Sequence, residues 1–127
     1  MDLEVETAYE DGIAVCRCTG RLTHGSAFDR FTEQIDACLR AGFTKLVLEM
    51  SGVRYIDAAG VGGLVKAVCL AKNSGGNLVL VGLQKKIVDL LGITRFYDVF
   101  RVFNEMGEAT KYLKTLEASP NAQEAKT

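Results

Sequence analysis

Ser51-Gly-Val-Arg-Tyr-Ile-Asp57-Ala-Ala-Gly60-Val-Gly-Gly-Leu-Val-Lys-Ala-Val-Cys-Leu-Ala71 is the stretch on which the reading of this chain turns. An apolar strand, Leu46 to Met50, runs into it, and a turn of small residues then opens a helix. Asp57 stands at the N-cap, where a side-chain oxygen can accept a backbone N–H of the first helical turn. Val61, Leu64, Val65 and Val68 recur at i, i+3, i+4 and i+7, one apolar face of a helix. Ala58, Ala59, Gly60, Gly62 and Gly63 leave the start of that helix nearly bare of side chain. Two readings stand side by side: a tight strand–helix junction, or an exposed helix end that another molecule approaches closely.

Working outward, the N-terminal side opens with Leu3, Val5 and Thr7 alternating with Glu4 and Glu6, a half-exposed strand. Glu10-Asp11-Gly12 supplies a turn, and Ile13 to Thr19 is a more apolar strand that should pair with the first as a hairpin. Gly20 to Ser26 reads as a polar loop, with Ser26 as cap of a helix whose inward face is Phe28, Phe31, Ile35, Cys38 and Leu39 and whose end is Gly42. Lys45 to Met50 is a buried strand. On the C-terminal side the central helix stops in Asn73-Ser74-Gly75-Gly76, and Leu78 to Val81 is another buried strand. Gln84 to Leu91 is helical and ends at Gly92. Phe96, Tyr97, Val99, Phe100, Val102 and Phe103 form an aromatic-rich segment with room for a last short strand, and Met106, Ala109, Leu113 and Leu116 mark a final helix. From Glu117 the chain turns polar, holds the single proline, Pro120, and reads as a disordered tail.

The order β-β-α-β-α-β-α-(β)-α predicts an α/β fold with a mixed sheet: an N-terminal hairpin, then parallel strands joined by right-handed crossovers, with about four helices in all. Residues 1–116 form one domain and 117–127 the tail. The loop Thr23–Ser26 and the turn Asp57–Gly60 should both emerge at the carboxyl ends of strands, on one rim.

Composition narrows the function. With 127 residues, 48% hydrophobic and 24% charged, the chain is an ordinary globular domain. A net charge of −1 argues against nucleic acid as the partner, since duplex binding needs clustered Lys and Arg. Lys85-Lys86 is the one basic doublet and reads as solvated surface. No apolar run approaches the roughly 20 residues of a membrane span, and the acidic start differs from a secretory signal. The expectation is a cytoplasmic protein with no direct membrane insertion. Its four cysteines are then free thiols, core or half-buried, and their spacing makes no zinc site.

The usual catalytic constellations are missing. His24 is the single histidine, and no Gly-x-Ser-x-Gly elbow accompanies it. No phosphate-binding Gly-x-x-x-x-Gly-Lys loop exists, and Gly60-Val61-Gly62-Gly63 lacks the dinucleotide spacing. Asp57 reads as a helix cap rather than as the partner of His24 in acid–base chemistry. No enzyme activity, metal or cofactor is expected.

Several segments together resemble the STAS domain (sulfate transporter and anti-sigma factor antagonist), in its small, bacterial, single-domain antagonist form. They are Thr19-Gly20-Arg21-Leu22, Lys45-Leu46-Val47-Leu48, Tyr55-Ile56-Asp57-Ala58-Ala59-Gly60-Val61-Gly62, Gly76-Asn77-Leu78-Val79-Leu80-Val81 and Leu90-Leu91-Gly92-Ile93. Ile-Asp-x-x-Gly-x-Gly between strand and helix is the most specific of them.

The resemblance implies a protein-interaction module that binds an anti-sigma factor, itself an ATP-binding serine kinase, and so frees a sigma factor for transcription. In such switches the kinase phosphorylates the Ser or Thr that follows the motif's Asp. Here that residue is Ala58, followed by Ala59, so the site offers no hydroxyl; Thr23, Ser26 and Ser51 are the nearest, and none stands at the matching position. By position, Arg21, Thr23, His24, Asp57, Ala58, Gly60 and Gly62 are expected at the partner-facing rim. Two other roles stay open: a STAS subunit of a stress-signalling scaffold, with other STAS proteins as partners, or of a transporter complex; and a small domain that binds an anion or nucleotide at the bare helix end.

Overall fold

The computed structural model describes residues 3–93 and 100–117. Strands β1 (Glu4–Glu10), β2 (Ile13–Leu22), β3 (Lys45–Ile56), β4 (Asn77–Val81) and β5 (Val102–Phe103) form one sheet in the order β1-β2-β3-β4-β5. Four helices accompany them among the described residues: α1 (Ser26–Arg40), α2 (Ala58–Asn73), α3 (Lys85–Ile93) and α4 (Met106–Glu117). β1 pairs antiparallel with β2, and every later pair is parallel, as the strand and helix periodicities imply.

The first turn follows from its two residues. Asp11 and Gly12 both have positive φ, 54° and 80°, and connect strands whose flanking residues Glu10 and Ile13 are partners. Two left-handed residues match the twist of a hairpin, and Asp-Gly tolerates them at little cost. After β2 the sheet grows by one neighbour at a time in one direction. Right-handed crossovers that all step the same way carry their helices to the same face. Accordingly α1, α2 and α3 cover one face, burying Phe31, Ile35, Leu64, Val68, Ile87 and Leu91 against Cys16, Leu22, Leu46, Leu48, Met50 and Leu80. The alternate strand residues Ile13, Val15, Val47, Val79 and Val81 face the other way, onto Ala109 and Leu113 of α4.

α4 covers only part of its face. On β2, Ile13 and Val15 are buried, but Arg17, Thr19 and Arg21, next along the same face, are exposed. β4 pairs with β3 only from Lys45 to Glu49, whereas β2 follows β3 up to Ile56. The ends of β2 and β3 therefore project beyond the rest of the sheet as a two-stranded arm.

Several boundaries differ from those the sequence predicts. The third strand continues through Ser51–Ile56, a stretch that reads locally as a small-residue turn. Its pairing with Gly20–Leu22 and the burial of Val53 and Ile56 hold it extended, and for the same reason Gly20, Arg21 and Leu22 are strand rather than loop. Ser26 does not cap α1: the N-cap is Gly25, at φ 95°, without a side-chain hydrogen bond, and Ser26 is already helical. Gly92 does not end α3, which reaches Ile93. Glu117 still lies within α4. Cys16, Cys18 and Cys38 are buried free thiols, but Cys69 is exposed, one step round α2 from inward Val68. Phe96, Tyr97, Val99 and residues 118–127 lie outside the described residues.

Candidate functional site

Two chain segments meet at the end of the β2–β3 arm. β2 delivers Arg21 and Leu22, followed by Thr23 and His24; β3 delivers Tyr55 and Ile56, followed by Asp57 and the start of α2. The strands set the register, with Arg21 opposite Tyr55 and Leu22 opposite Ile56. Asp57 then ties the two segments together. Its backbone N–H donates to the Leu22 carbonyl at 3.3 Å. Its side chain accepts from the Gly60 N–H through Oδ1 at 2.8 Å and from the His24 N–H through Oδ2 at 3.1 Å. One carboxylate thus caps α2 and pins the β2–α1 loop, which is what makes two loops a single surface.

The electrostatics of Asp57 agree with that role. Partial desolvation pushes its carboxyl upward, but the Gly60 and His24 N–H groups, with the nearby His24 side chain, outweigh it. They hold Asp57 below the ordinary carboxylate range. A carboxylate held ionised by two backbone donors is a poor general base. The His24 side chain is exposed, and the contact recorded between the two residues runs through the His24 backbone.

The predicted rim residues divide by exposure. Arg21, His24, Ala58 and Gly62 are exposed, and Thr23 and Asp57 are half-buried. Gly60 is buried: a Cβ there would lie 2.3 Å from the Leu22 carbonyl oxygen and 2.6 Å from Ile56 Cγ1. It shapes the rim from beneath by letting α2 seat on the end of β2. Gly62 is different, since a Cβ there would meet nothing within 4 Å. Two residues that sequence reasoning left out of the site also stand here, Arg54 and Tyr55, both exposed. The Arg21 guanidinium lies over the Tyr55 ring at 4.7 Å from its centroid. No sequence signal marked Arg54 and Tyr55: Tyr55 is 48% exposed on a strand whose Val53 and Ile56 are buried, and only the β2–β3 pairing reveals it.

By helix geometry the N–H groups of the first turn have no partner within the helix. Those of Gly60 and Val61 go to the Asp57 side chain and carbonyl. Ala58, exposed, and Ala59, half-buried, carry only methyl side chains at this helix end. No acidic residue occupies this first turn. Among the described residues no cluster of His, Cys, Asp and Glu could hold a metal ion, and none of the described helices is long and apolar enough to cross a membrane.

The STAS domain family model matches residues 4–109, nearly the whole chain. The chain belongs to the STAS domain family. Among its relatives is the anti-sigma F factor antagonist of Paenibacillus polymyxa, 22% identical over 113 residues, covering 87% of this chain and 96% of that protein. The fold is shared with a Thermotoga maritima protein provisionally described as an anti-sigma factor antagonist: TM-score 0.80, 22% identity, 87% of this chain and 94% of that one. It is shared also with the anti-sigma factor antagonist SpoIIAA in its unphosphorylated form, at TM-score 0.66 and 14% identity, over 92% and 99% of the two chains. In this STAS domain the motif Asp is therefore the bridge between loop and helix, and the residue after it is the exposed Ala58.

Proposed function

We propose that this STAS domain is a non-catalytic partner-switching module. It acts in the cytoplasm, binding an anti-sigma factor of the ATP-binding serine-kinase type and so freeing a sigma factor for transcription. The observation that carries this reading is the position of Ala58. It is exposed, begins α2, and follows the capping Asp57 at the end of a surface built from two loops. A phosphoryl group at such a position adds about −1.5 to −2 charge and three acceptor oxygens where Ala58 offers only a methyl group. It would spoil close packing against a partner while the helix dipole tolerates it.

Alanine has no oxygen to accept the phosphoryl group, so the surface stays permanently in its binding form. Regulation then rests on how much of the protein is made, or on the partner. Thr23 is half-buried in the pinned loop, and Ser26 and Ser51 are exposed but are not at the start of α2.

The test is affinity capture from the native lysate, with the parent chain and Ala58→Glu in parallel and mass spectrometry as readout. Recovery of a kinase-like anti-sigma factor by the parent and at least tenfold less by the variant is expected. Recovery of other STAS proteins or transporter subunits, equally by both chains, would leave the fold assignment intact and end the anti-sigma reading.

A further inference from the structure

The ion pairs recorded among the described residues all lie away from the projecting end of β2 and β3. Lower on the open sheet face, Glu6, Arg17 and Glu49 share one row across β1, β2 and β3, and Arg17 Nε lies 3.7 Å from Glu49 Oε1. Arg40 pairs with Asp36, Lys85 with Asp89 and Lys114 with Asp11. At the projecting end the local charge is cationic, with no carboxylate left free to offset it. The segments 21–26 and 52–60 carry Arg21, Arg54, His24 and Asp57 as their titratable or charged side chains besides Tyr55. Asp57 spends its carboxylate on two backbone N–H groups. Arg21 and Arg54 have no ion-pair partner among the described residues, and the first carboxylate across the strands is Glu4, opposite Thr19.

From this placement we infer that the partner of this surface is a protein that presents an acidic segment, and that Arg21 and Arg54 are the residues that select it. The inference rests on the partner-binding reading above and specifies the chemistry of that partner. Arg21 is already ordered by its stacking on Tyr55, so less conformational freedom is lost when a carboxylate docks on its guanidinium edge. Arg and Tyr are also the residue types that most often anchor interfaces, through planar donors and a large amphipathic ring. Tyr55, 48% exposed, offers that ring under the Arg21 guanidinium, and Arg54 precedes it on β3. A basic partner surface would meet like charge here; an acidic one gains orientation and a faster encounter. Over the whole chain the net charge of −1 disfavours a nucleic-acid backbone as the ligand.

The test uses the full chain, labelled with 15N. A short acetylated peptide of Asp, Glu and Leu is titrated into it, with a Lys/Leu peptide and a single-stranded oligonucleotide as comparators. Amide shifts are expected at Arg21, His24, Arg54 and Tyr55 with the acidic peptide, fading as salt is raised. Arg21→Glu/Arg54→Glu should weaken that binding at least tenfold, about 1.4 kcal/mol. Lys66→Glu/Lys72→Glu, which makes the same charge change on the exposed side of α2, should not. Equal effects of the two double variants, shifts centred elsewhere, or stronger shifts from the oligonucleotide would overturn the inference. The captured anti-sigma factor then separates the two readings. Acidic-peptide binding at Arg21 and Arg54 without any anti-sigma partner leaves this surface chemistry standing and removes the functional reading. An anti-sigma complex indifferent to Arg21→Glu/Arg54→Glu and to salt does the reverse.

Discussion

Gly60 and Gly62 lie two residues apart on the first turns of α2, and replacing each with alanine should move stability in opposite directions. At Gly60 the new methyl would stand 2.3 Å from the Leu22 carbonyl oxygen and 2.6 Å from Ile56 Cγ1. The helix start must withdraw by about 0.7 Å to reach even 3.0 Å from that oxygen, below which Cβ contacts essentially never occur. The same carbonyl accepts the Asp57 N–H, and Asp57 caps Gly60, so the withdrawal strains the cap as well. Overpacking of this kind costs about 1–3 kcal/mol, and a weakened cap costs about 1 more. Against this, alanine gains at most about 1 kcal/mol of helix propensity over glycine. The net expectation for Gly60→Ala is a loss of about 2 kcal/mol. At roughly 4 °C per kcal/mol for a chain of this size, that lowers Tm by about 8 °C. Gly62→Ala meets no atom within 4 Å and keeps only the propensity gain, so it should add about 0.5–1 kcal/mol. Urea titrations of the two variants, compared at constant m, measure both signs in one experiment. A neutral or stabilised Gly60→Ala, or a destabilised Gly62→Ala, would refute the placement of α2 against β2.

Three further outcomes follow from the same geometry. Asp57→Asn keeps one acceptor oxygen, so it can cap Gly60 or hold the His24 N–H but not both, and should cost about 1 kcal/mol near neutral pH. Because the folded carboxyl is held low, that advantage of the parent is present above the unfolded value of about 3.9 and disappears as pH falls through the folded one; an Asp57→Asn deficit that persists in acid would contradict it. Ala58→Glu should separate stability from binding: an acid in a first turn that has none stabilises α2 by about 0.3–1 kcal/mol, so a raised Tm with lost partner capture is expected, and a lowered Tm would place residue 58 in the packed interior. With a thiol reagent under native conditions, Cys69 should react fast and Cys16, Cys18 and Cys38 only on unfolding, since burial pushes the Cys16 and Cys18 thiols up to about 12; two or more fast thiols would show that the β2–α1 seam opens.

Much of this protein was legible in the sequence because its signals are local. Period-two and period-3.6 patterns placed the elements, Asp11-Gly12 marked the hairpin, Asp57 marked the start of α2, and the succession of single crossovers implied a sheet parallel beyond its first pair. Tertiary structure decided what depends on pairing across distance. Ser51–Ile56 is a strand only because β2 lies beside it. Gly60 is obligatory because the Leu22 carbonyl comes within reach of it, whereas Gly62, identical in sequence terms, is not. Gly25 rather than Ser26 caps α1, because the chain enters that helix through a residue of positive φ. The grouping of Arg21, Arg54 and Tyr55 at one end of the sheet, with the sole carboxylate of those loops tied up by backbone donors, arises from a register between residues more than thirty positions apart. Composition and periodicity register which residues are buried and which element each belongs to; only the packed chain determines which charges end up without a neighbour.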